Sequence, residues 1–392
     1  MAKKLRVGIL FGGRSGEHEV SLLSAASILK AIDRRKFDVV PIGIGKTGRW
    51  LTGGGAQALL TGQSEAQAGL TLEAATAADA APSDAVTAMV PDAASLGGGM
   101  AGGMAGGKLD VVFPVLHGTF GEDGTIQGLF ELADTAYVGS GVLGSATGMD
   151  KDVMKRLFAQ ARLPIVKHVT ILRTAWEASP RKTVAAIEAA LKYPVFVKPA
   201  NLGSSVGISK VHDRKELAPA LKLAARYDRK LVIEEGVAGS GKARATGKAR
   251  ELEVAVLGND DPKASVVGEI IPGKEFYDYE AKYLSDGSIP VIPAKITAAE
   301  SKQIRAMAVE AFRACDLAGL ARVDFLMEPD GKRRIYLNEV NTMPGFTSIS
   351  MYPKLWQASG LSYSGLITRL IELALERHQE RERTTFSFDA LG

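Results

Sequence analysis

The sequence predicts a multi-domain protein of α/β and α+β class, with three units fitting better than two. Three observations carry that reading. The chain has 392 residues, which at roughly 150 residues per domain suggests two or three domains. Its start follows a strand, turn, helix, strand order, a βαβ beginning that makes a parallel sheet the economical inference. Beyond Asp150 shorter strands and helices recur around Gly/Ser-rich loops, the texture of smaller α+β units.

The elements follow in order. Leu5–Phe11 is an aliphatic run bounded by Gly12-Gly13, and Phe37–Ile44 reads as the next strand. Between them Glu19–Ile32 places Leu22, Ala25, Ala26, Leu29 and Ile32 at helical spacing. Thr52–Gly107 breaks the pattern with Ala and Gly, ending in a Gly/Met tract expected to be a surface loop. Lys108–Val115 returns as a strand. Lys151–Arg162 is an amphipathic helix, followed by strands Tyr193–Pro199 and Gly207–Val211, helix Asp213–Tyr227 and strand Lys230–Glu235. Ala238–Arg250 is a second Gly/Lys/Arg-rich insertion. Strands Glu251–Leu257, Ala264–Ile271, Ala321–Met327 and Arg334–Asn341 then form a third unit with helices Ala298–Leu317 and Ser362–His378.

Composition excludes several function classes. One cysteine, Cys315, rules out an internal disulfide and C-x-x-C metal sites. No apolar run approaches the roughly 18 residues of a membrane span. The charged start before Leu5–Leu10 superficially resembles a signal peptide, but Arg6 interrupts it and Gly12-Gly13-Arg14 ends it. A net charge of +4, with Lys and Arg scattered, gives no warrant for a nucleic-acid or membrane partner. A cytoplasmic protein is expected.

Two segments imitate a phosphate-binding P-loop. Gly236–Lys242 has the G-x-x-x-x-G-K spacing, but Ala243 supplies no hydroxyl and no helix start follows. Gly45-Lys46-Thr47 has the right end, but Val40 stands where the first glycine belongs. Lys242, Arg244, Lys248 and Arg250 read as a solvated basic insertion.

The strongest physical signal pairs Ala321-Arg322-Val323-Asp324-Phe325-Leu326 with Tyr336-Leu337-Asn338-Glu339-Val340-Asn341. Side chains alternate along a strand, so Arg322 and Asp324 share a face, as do Glu339 and Asn341. A hairpin closing symmetrically about Asp330-Gly331 would set Arg322 opposite Glu339, with all four polar groups on one face. Converging carboxylate and amide oxygens suit a hard cation such as Mg²⁺, and the guanidinium suits an oxyanion. The alternative is a surface hairpin with exposed ion pairs, disfavoured by the apolar residues in between. Asn201–Gly207, just after Lys198, offers amide N–H groups and two hydroxyls that could cradle phosphate; Gly/Ser hairpin loops are also common without a ligand. The aromatic stretch Pro272–Tyr283 is either a closing loop or a packed surface loop.

Taken together, these segments resemble the ATP-grasp enzymes, specifically the D-alanine–D-alanine ligases. The matching motifs are Gly12–Ser21 (GGRSGEHEVS), His117–Gly124 (HGTFGEDG), Gly148–Lys151 (GMDK), Val197-Lys198-Pro199 with Gly203–Gly207, Phe276–Tyr283 (FYDYEAKY), Arg322-Val323-Asp324 and Asn338–Thr347 (NEVNTMPGFT). The resemblance implies a three-domain ATP-grasp architecture. A Rossmann-like parallel-sheet domain over 1–148, with an insertion at about 52–107, would precede two α+β subdomains clamping ATP, 149–236 and 237–392. A substrate-closing loop would span about 272–288.

It also implies roles. Lys151 and Lys198 look like nucleotide phosphate ligands, with Ser204 and Ser205 in the lid. Glu234, Glu235 and Val237 resemble the adenine-binding linker, and Glu251 the ribose contact. Asp324, Glu339 and Asn341 resemble the ligands of two Mg²⁺ ions, which Mn²⁺ could replace. Glu17 would hold the ammonium of the first D-alanine, grouped with Ser204 and Tyr283, and His117 would line the substrate site. Lys282 and Ser350 would receive the second carboxylate, Lys282 also reaching the γ-phosphate. Arg322 and the Gly345 amide would form the oxyanion site. The implied activity is ATP-dependent joining of two D-alanines through a D-alanyl phosphate, for peptidoglycan precursors, by a homodimer. Glu280-Ala281-Lys282-Tyr283 resembles the dipeptide-forming type. The alternatives are a D-lactate or D-serine acceptor on the same fold, or a non-catalytic nucleotide-binding protein.

Overall fold

The computed structural model describes residues 3–62, 108–237, 248–271 and 288–385. The Gly/Met tract, most of the second insertion and nearly all of the expected closing loop, including Lys282 and Tyr283, lie outside the described residues.

The chain begins with β1 (Leu5–Gly12), α1 (His18–Ala31), β2 (Phe37–Ile44), β3 (Trp50–Thr52), α2 (Gly53–Leu60) and β4 (Val111–Val115). The sheet order is β3-β2-β1-β4; β1 runs parallel to both β2 and β4, and β3 is an antiparallel edge. Val7, Ile9 and Phe11 face one core while Leu10 faces another. Burial on both faces explains why this strand is an unbroken apolar run rather than an alternating one. The stretch expected to leave the fold at Thr52 stays in it for two more turns. Helix α2 buries Ala56, Ala58 and Leu59 against the sheet, so the excursion starts later than composition suggested.

Helices α3 (Thr125–Leu132), α4 (Val142–Met149) and α5 (Lys151–Gln160) follow. The Asp150 carboxylate caps α5 by accepting from the Asp152 and Val153 amides. Next come β5 (His168–Leu172), α6 (Arg173–Ala178), α7 (Pro180–Ala190), β6 (Val195–Pro199), β7 (Ser209–Val211), α8 (Arg214–Ala224) and β8 (Lys230–Glu235). They form an antiparallel sheet, β5-β8-β6-β7, whose core is made with α7 and α8.

The last part comprises β9 (Arg250–Gly258), β10 (Lys263–Ile271), β11 (Ile289–Val291), α9 (Ala298–Ala314), β12 (Gly319–Met327), β13 (Ile335–Asn341), α10 (Met351–Ala358) and α11 (Tyr363–Glu382). Its antiparallel sheet runs β11-β10-β9-β12-β13. One face packs on α9 and on Met154 and Phe158 of α5. Leu366, Ile367, Leu370 and Ile371 of α11 share a core with Val7, Ile9 and Phe11, so the end of the chain covers its first sheet.

The β12–β13 hairpin corrects one expectation. Arg322 pairs with Asn341 and Asp324 with Glu339, not Arg322 with Glu339. The pairing shifts at a bulge between Asp324 and Phe325, and Phe325 faces Leu337. One extra residue on β13, Asn338, is accommodated there, and the turn centres on Gly331 with a φ of +64°. Face parity survives: Arg322, Asp324, Glu339 and Asn341 are all half-buried, with buried Val323 between the first two and buried Val340 between the last two.

Candidate functional site

The three sheets converge on a cleft lined by Glu17, His117, Lys151, Ser204, Arg322, Glu339, Asn341, Gly345 and Ser350, among others. Arg322, Glu339 and Asn341 come from β12 and β13 and Lys151 opens α5, while the others arrive in loops, where backbone can approach a ligand.

Glu17 precedes α1 and is buried. The Ser204 hydroxyl, from the β6–β7 loop, donates to its Oε1. Two glycines close over the other oxygen: a Cβ at Gly118, where φ is +76°, would lie 2.5 Å from Glu17 Oε2, and one at Gly203 would lie 2.9 Å away. Only glycine lets these two loops meet the carboxylate. Ser204 and Ser205 both adopt positive φ, 49° and 58°, a strained conformation held at the mouth of the cleft.

His117 lines the cleft, but protein occupies both of its nitrogens. Nδ1 lies 2.9 Å from the Met343 carbonyl, so it carries the hydrogen and donates. Nε2, 3.1 Å from Ser24 Oγ, then accepts in the neutral ring, while the same hydroxyl accepts from the Phe346 amide. Burial keeps the imidazole below its usual pKa, against the pull of Glu17 and the Met343 carbonyl. His117 thereby fastens the β13–α10 loop, which carries Gly345, against α1.

Lys151 donates to the Leu202 carbonyl at 2.8 Å and lies 3.8 Å from Glu339. Lys198, buried in β6, pairs with Glu234 at 2.8 Å. Glu234 is buried, and Glu235 is half-buried, accepting from the Lys192 amide. Val237 follows Gly236, whose amide donates to the Pro194 carbonyl. Glu251 sits half-buried in β9, opposite Leu326 and Ile270. Ser350 hydroxyl lies 2.8 Å from Thr347 Oγ1 and accepts from the Thr347 amide. A Cβ at Gly345 would meet Ser350 Oγ at 2.7 Å, which brings the two together.

Arg322 donates to both oxygens of Asp324 at 2.7 Å and lies 3.3 Å from Glu253. Asp324 and Glu339 are opposite one another, and Asn341 Oδ1 accepts from the Met343 amide. Two half-buried carboxylates and an amide oxygen form an oxygen-only donor set, the chemistry that Mg²⁺ or Mn²⁺ requires. The cations now beside them, Arg322 and Lys151, balance the same charge.

Three buried ionisable groups were given no role by the sequence motifs used above. Glu253 stands two residues from Glu251 on β9, so the two share a face, and it pairs with Asp324 of β12; that parity was legible. Glu122 lies inside the quoted HGTFGEDG motif, and its Oε1 accepts from the Gly118 amide at 2.7 Å. Burial, with Glu17 nearby, pushes its pKa up to about 8. Lys155 follows Lys151 by one turn of α5 and gave no signal beyond that spacing.

Comparison with known proteins accords with this geometry. Residues 6–140 match the family model "D-ala D-ala ligase N-terminus", and residues 157–372 match "D-ala D-ala ligase C-terminus". The chain is 50% identical over 388 residues to a D-alanine–D-alanine ligase of Geobacillus thermodenitrificans, covering 98% of this chain and 100% of the relative. It is 49% identical over 386 residues to one from Natranaerobius thermophilus, covering 98% and 99%. Among solved structures, the D-alanine–D-alanine ligase of Coxiella burnetii aligns with a TM-score of 0.76 at 35% identity, over 97% of both chains. The VanG D-Ala:D-Ser ligase of Enterococcus faecalis aligns with a TM-score of 0.75 at 37% identity, over 95% of this chain and 100% of that one. On sequence, fold and the arrangement of its cleft, the chain belongs to the D-alanine–D-alanine ligase family.

Proposed function

We propose that the protein joins two D-alanines into D-alanyl-D-alanine with consumption of ATP, releasing ADP and phosphate, as a step in peptidoglycan precursor synthesis. The observation that carries this reading is the meeting of Glu17 with Ser204, Lys151 with Glu339, and Arg322 with Asp324 in one cleft. The domain division at about 148 and 236 follows from the same reading, as do a cytoplasmic location and a homodimer.

The chemistry explains the residue types. A carboxylate resists amine attack because its oxygen leaves poorly. Phosphoryl transfer from ATP converts that oxygen into phosphate, a good leaving group. Glu17 holds the ammonium of the first D-alanine, presenting its carboxylate to the nucleotide. Lys151 and Lys198 hold phosphate oxygens, and Ser204 and Ser205 cover them. Asp324, Glu339 and Asn341 would hold two Mg²⁺ ions, which supply neutralisation of phosphate charge. Arg322 and the Gly345 amide face the oxyanion that develops when the second amine attacks. Lys282 and Ser350 take the second carboxylate, and Tyr283 completes the group around Glu17 and Ser204. Glu234, Glu235 and Val237 take the adenine, and Glu251 the ribose. Closing the cleft keeps water from the acyl phosphate.

A second reading, ligation of D-alanine to D-serine, is favoured by the structural likeness to a D-Ala:D-Ser ligase. One assay decides between them: ADP release from ATP and Mg²⁺ with D-alanine, D-alanine plus D-serine, D-alanine plus D-lactate, L-alanine, or no amino acid, with products identified by mass spectrometry. Release requiring D-alanine and yielding the dipeptide is expected. A mixed product in preference, or no dependence on D-alanine, would overturn the substrate assignment.

A further inference from the structure

Helix α5 carries a charge that the reaction above does not use. The Lys155 side chain is fully buried, and its ammonium lies 3.1 Å from Glu234 Oε1. Lys198 lies 2.8 Å from Glu234 Oε2, so two lysines share one carboxylate. All three groups are buried. The Lys155 ammonium also donates to the Asn338 main-chain oxygen at 3.3 Å, at the bulge of β13 beside Glu339.

Burying an ammonium is costly, and a single lysine would already neutralise Glu234. The second lysine therefore needs a reason other than pairing. Counting charges supplies one. Lys155, Glu234 and Lys198 sum to one positive charge, whereas Glu234 and Lys198 alone sum to zero. In a buried site that difference acts on an incoming phosphate with little screening.

Resting on the nucleotide reading above, we propose that Lys155 is a positioning residue that keeps Lys198 available to the phosphates of ATP by taking up part of the charge of Glu234. Without it, Lys198 would face an undivided carboxylate and would have to break a full buried ion pair to turn toward phosphate. The contact with Asn338 anchors the arrangement to the strand that carries Glu339 and Asn341. The ionisation of the trio agrees with this sharing. Burial pulls the Lys155 pKa down against the field of Glu234. Glu234 stays below the carboxylate range despite burial, because both lysines favour its charge.

The test is isothermal titration calorimetry with adenosine and with ADP. The ratio of the two affinities isolates the phosphates from the base. Lys155→Met, which removes the charge, is expected to lower the ADP-to-adenosine ratio by about tenfold. Lys155→Met combined with Glu234→Gln restores a net charge of one and is expected to return the ratio to within about threefold of wild type. Glu234→Gln alone should raise it above wild type. If Lys155→Met fails to fold, the double variant decides, because it leaves Lys198 as the one charge of the trio; a ratio well below the threefold window would then overturn the inference. A wild-type ratio in Lys155→Met, or a double variant as impaired as the single, would overturn the inference alone. Wild-type protein that bound neither ligand would overturn the nucleotide reading and the inference with it.

Discussion

Replacing Glu122 by glutamine tests whether the floor of the cleft stores a proton. Glu122 is 7% exposed, its Oε1 accepts from the Gly118 amide at 2.7 Å, and Glu17 lies nearby. Burial first, and then the charge of Glu17, move its pKa from 4.5 to about 8. The sign follows from linkage: between those values the folded protein holds a proton that the unfolded chain has lost, so stability falls as pH rises. The contribution is complete below pH 4.5 and gone above about 8. At about 1.4 kcal/mol per pH unit, that interval corresponds to an upper bound of about 5 kcal/mol. Glutamine has the shape of the protonated acid and keeps an acceptor for Gly118, but it cannot ionise. Urea denaturation of both proteins at a series of pH values from about 5 to about 9 measures the difference, other titrations being common to both. Glu122→Gln should match wild type near pH 5, exceed it progressively up to about pH 8, and keep a constant lead from there to about pH 9. A constant difference across the range would refute the reasoning and mean that Glu122 ionises as an ordinary exposed carboxylate does.

The remaining predictions concern the cleft and its supports. Ser204→Ala removes the hydroxyl that donates to Glu17; a bond to a charged group contributes about 1.5–3 kcal/mol, so kcat/KM for D-alanine should fall about tenfold or more. A shift confined to the KM for ATP would contradict that assignment. Arg322→Lys replaces a two-point contact on Asp324 with a point charge; kcat for ADP release should drop by about a hundredfold, and near-wild-type turnover would remove Arg322 from the oxyanion site. Gly144→Ala puts a Cβ 2.3 Å from the Asp316 main-chain oxygen; thermal melting should show a loss of about 1–3 kcal/mol, whereas an unchanged melting temperature would mean that α4 shifts freely.

What was legible in the sequence was mostly local. Alternation along β12 and β13 correctly placed Arg322, Asp324, Glu339 and Asn341 on one face, because strand parity needs no knowledge of partners. The pairing of those residues was missed because a symmetric hairpin leaves no room for a bulge; the extra residue at Asn338 breaks strict alternation and sets buried Leu337 and Val340 three positions apart. The sequence placed a helix at Ser362–His378 but could not say that it packs on α1 and β4 and shares a core with Val7, Ile9 and Phe11 at the far end of the chain. Lys155 illustrates the same limit. Nothing nearby in sequence distinguishes it from a surface lysine; its meaning comes from Glu234, brought to it by a separate sheet. His117 lines the cleft, and the engagement of both its nitrogens depends on Met343 and Ser24, which only the tertiary structure assembles.

The cover that α11 gives the first sheet bears on how the chain emerges from the ribosome. The core around β6 and β8 is made from residues between Val169 and Ile233, so it is complete once that short stretch has been synthesised. The core around Val7, Ile9 and Phe11 is finished by Leu366 through Ala374. For most of translation the oldest part of the protein therefore has an apolar face waiting for the youngest, the situation in which chaperones guard nascent chains. A chain stopped before Tyr363 would have a finished central sheet and an uncovered first one. Loss of the last helix would thus uncover residues at the opposite end of the gene.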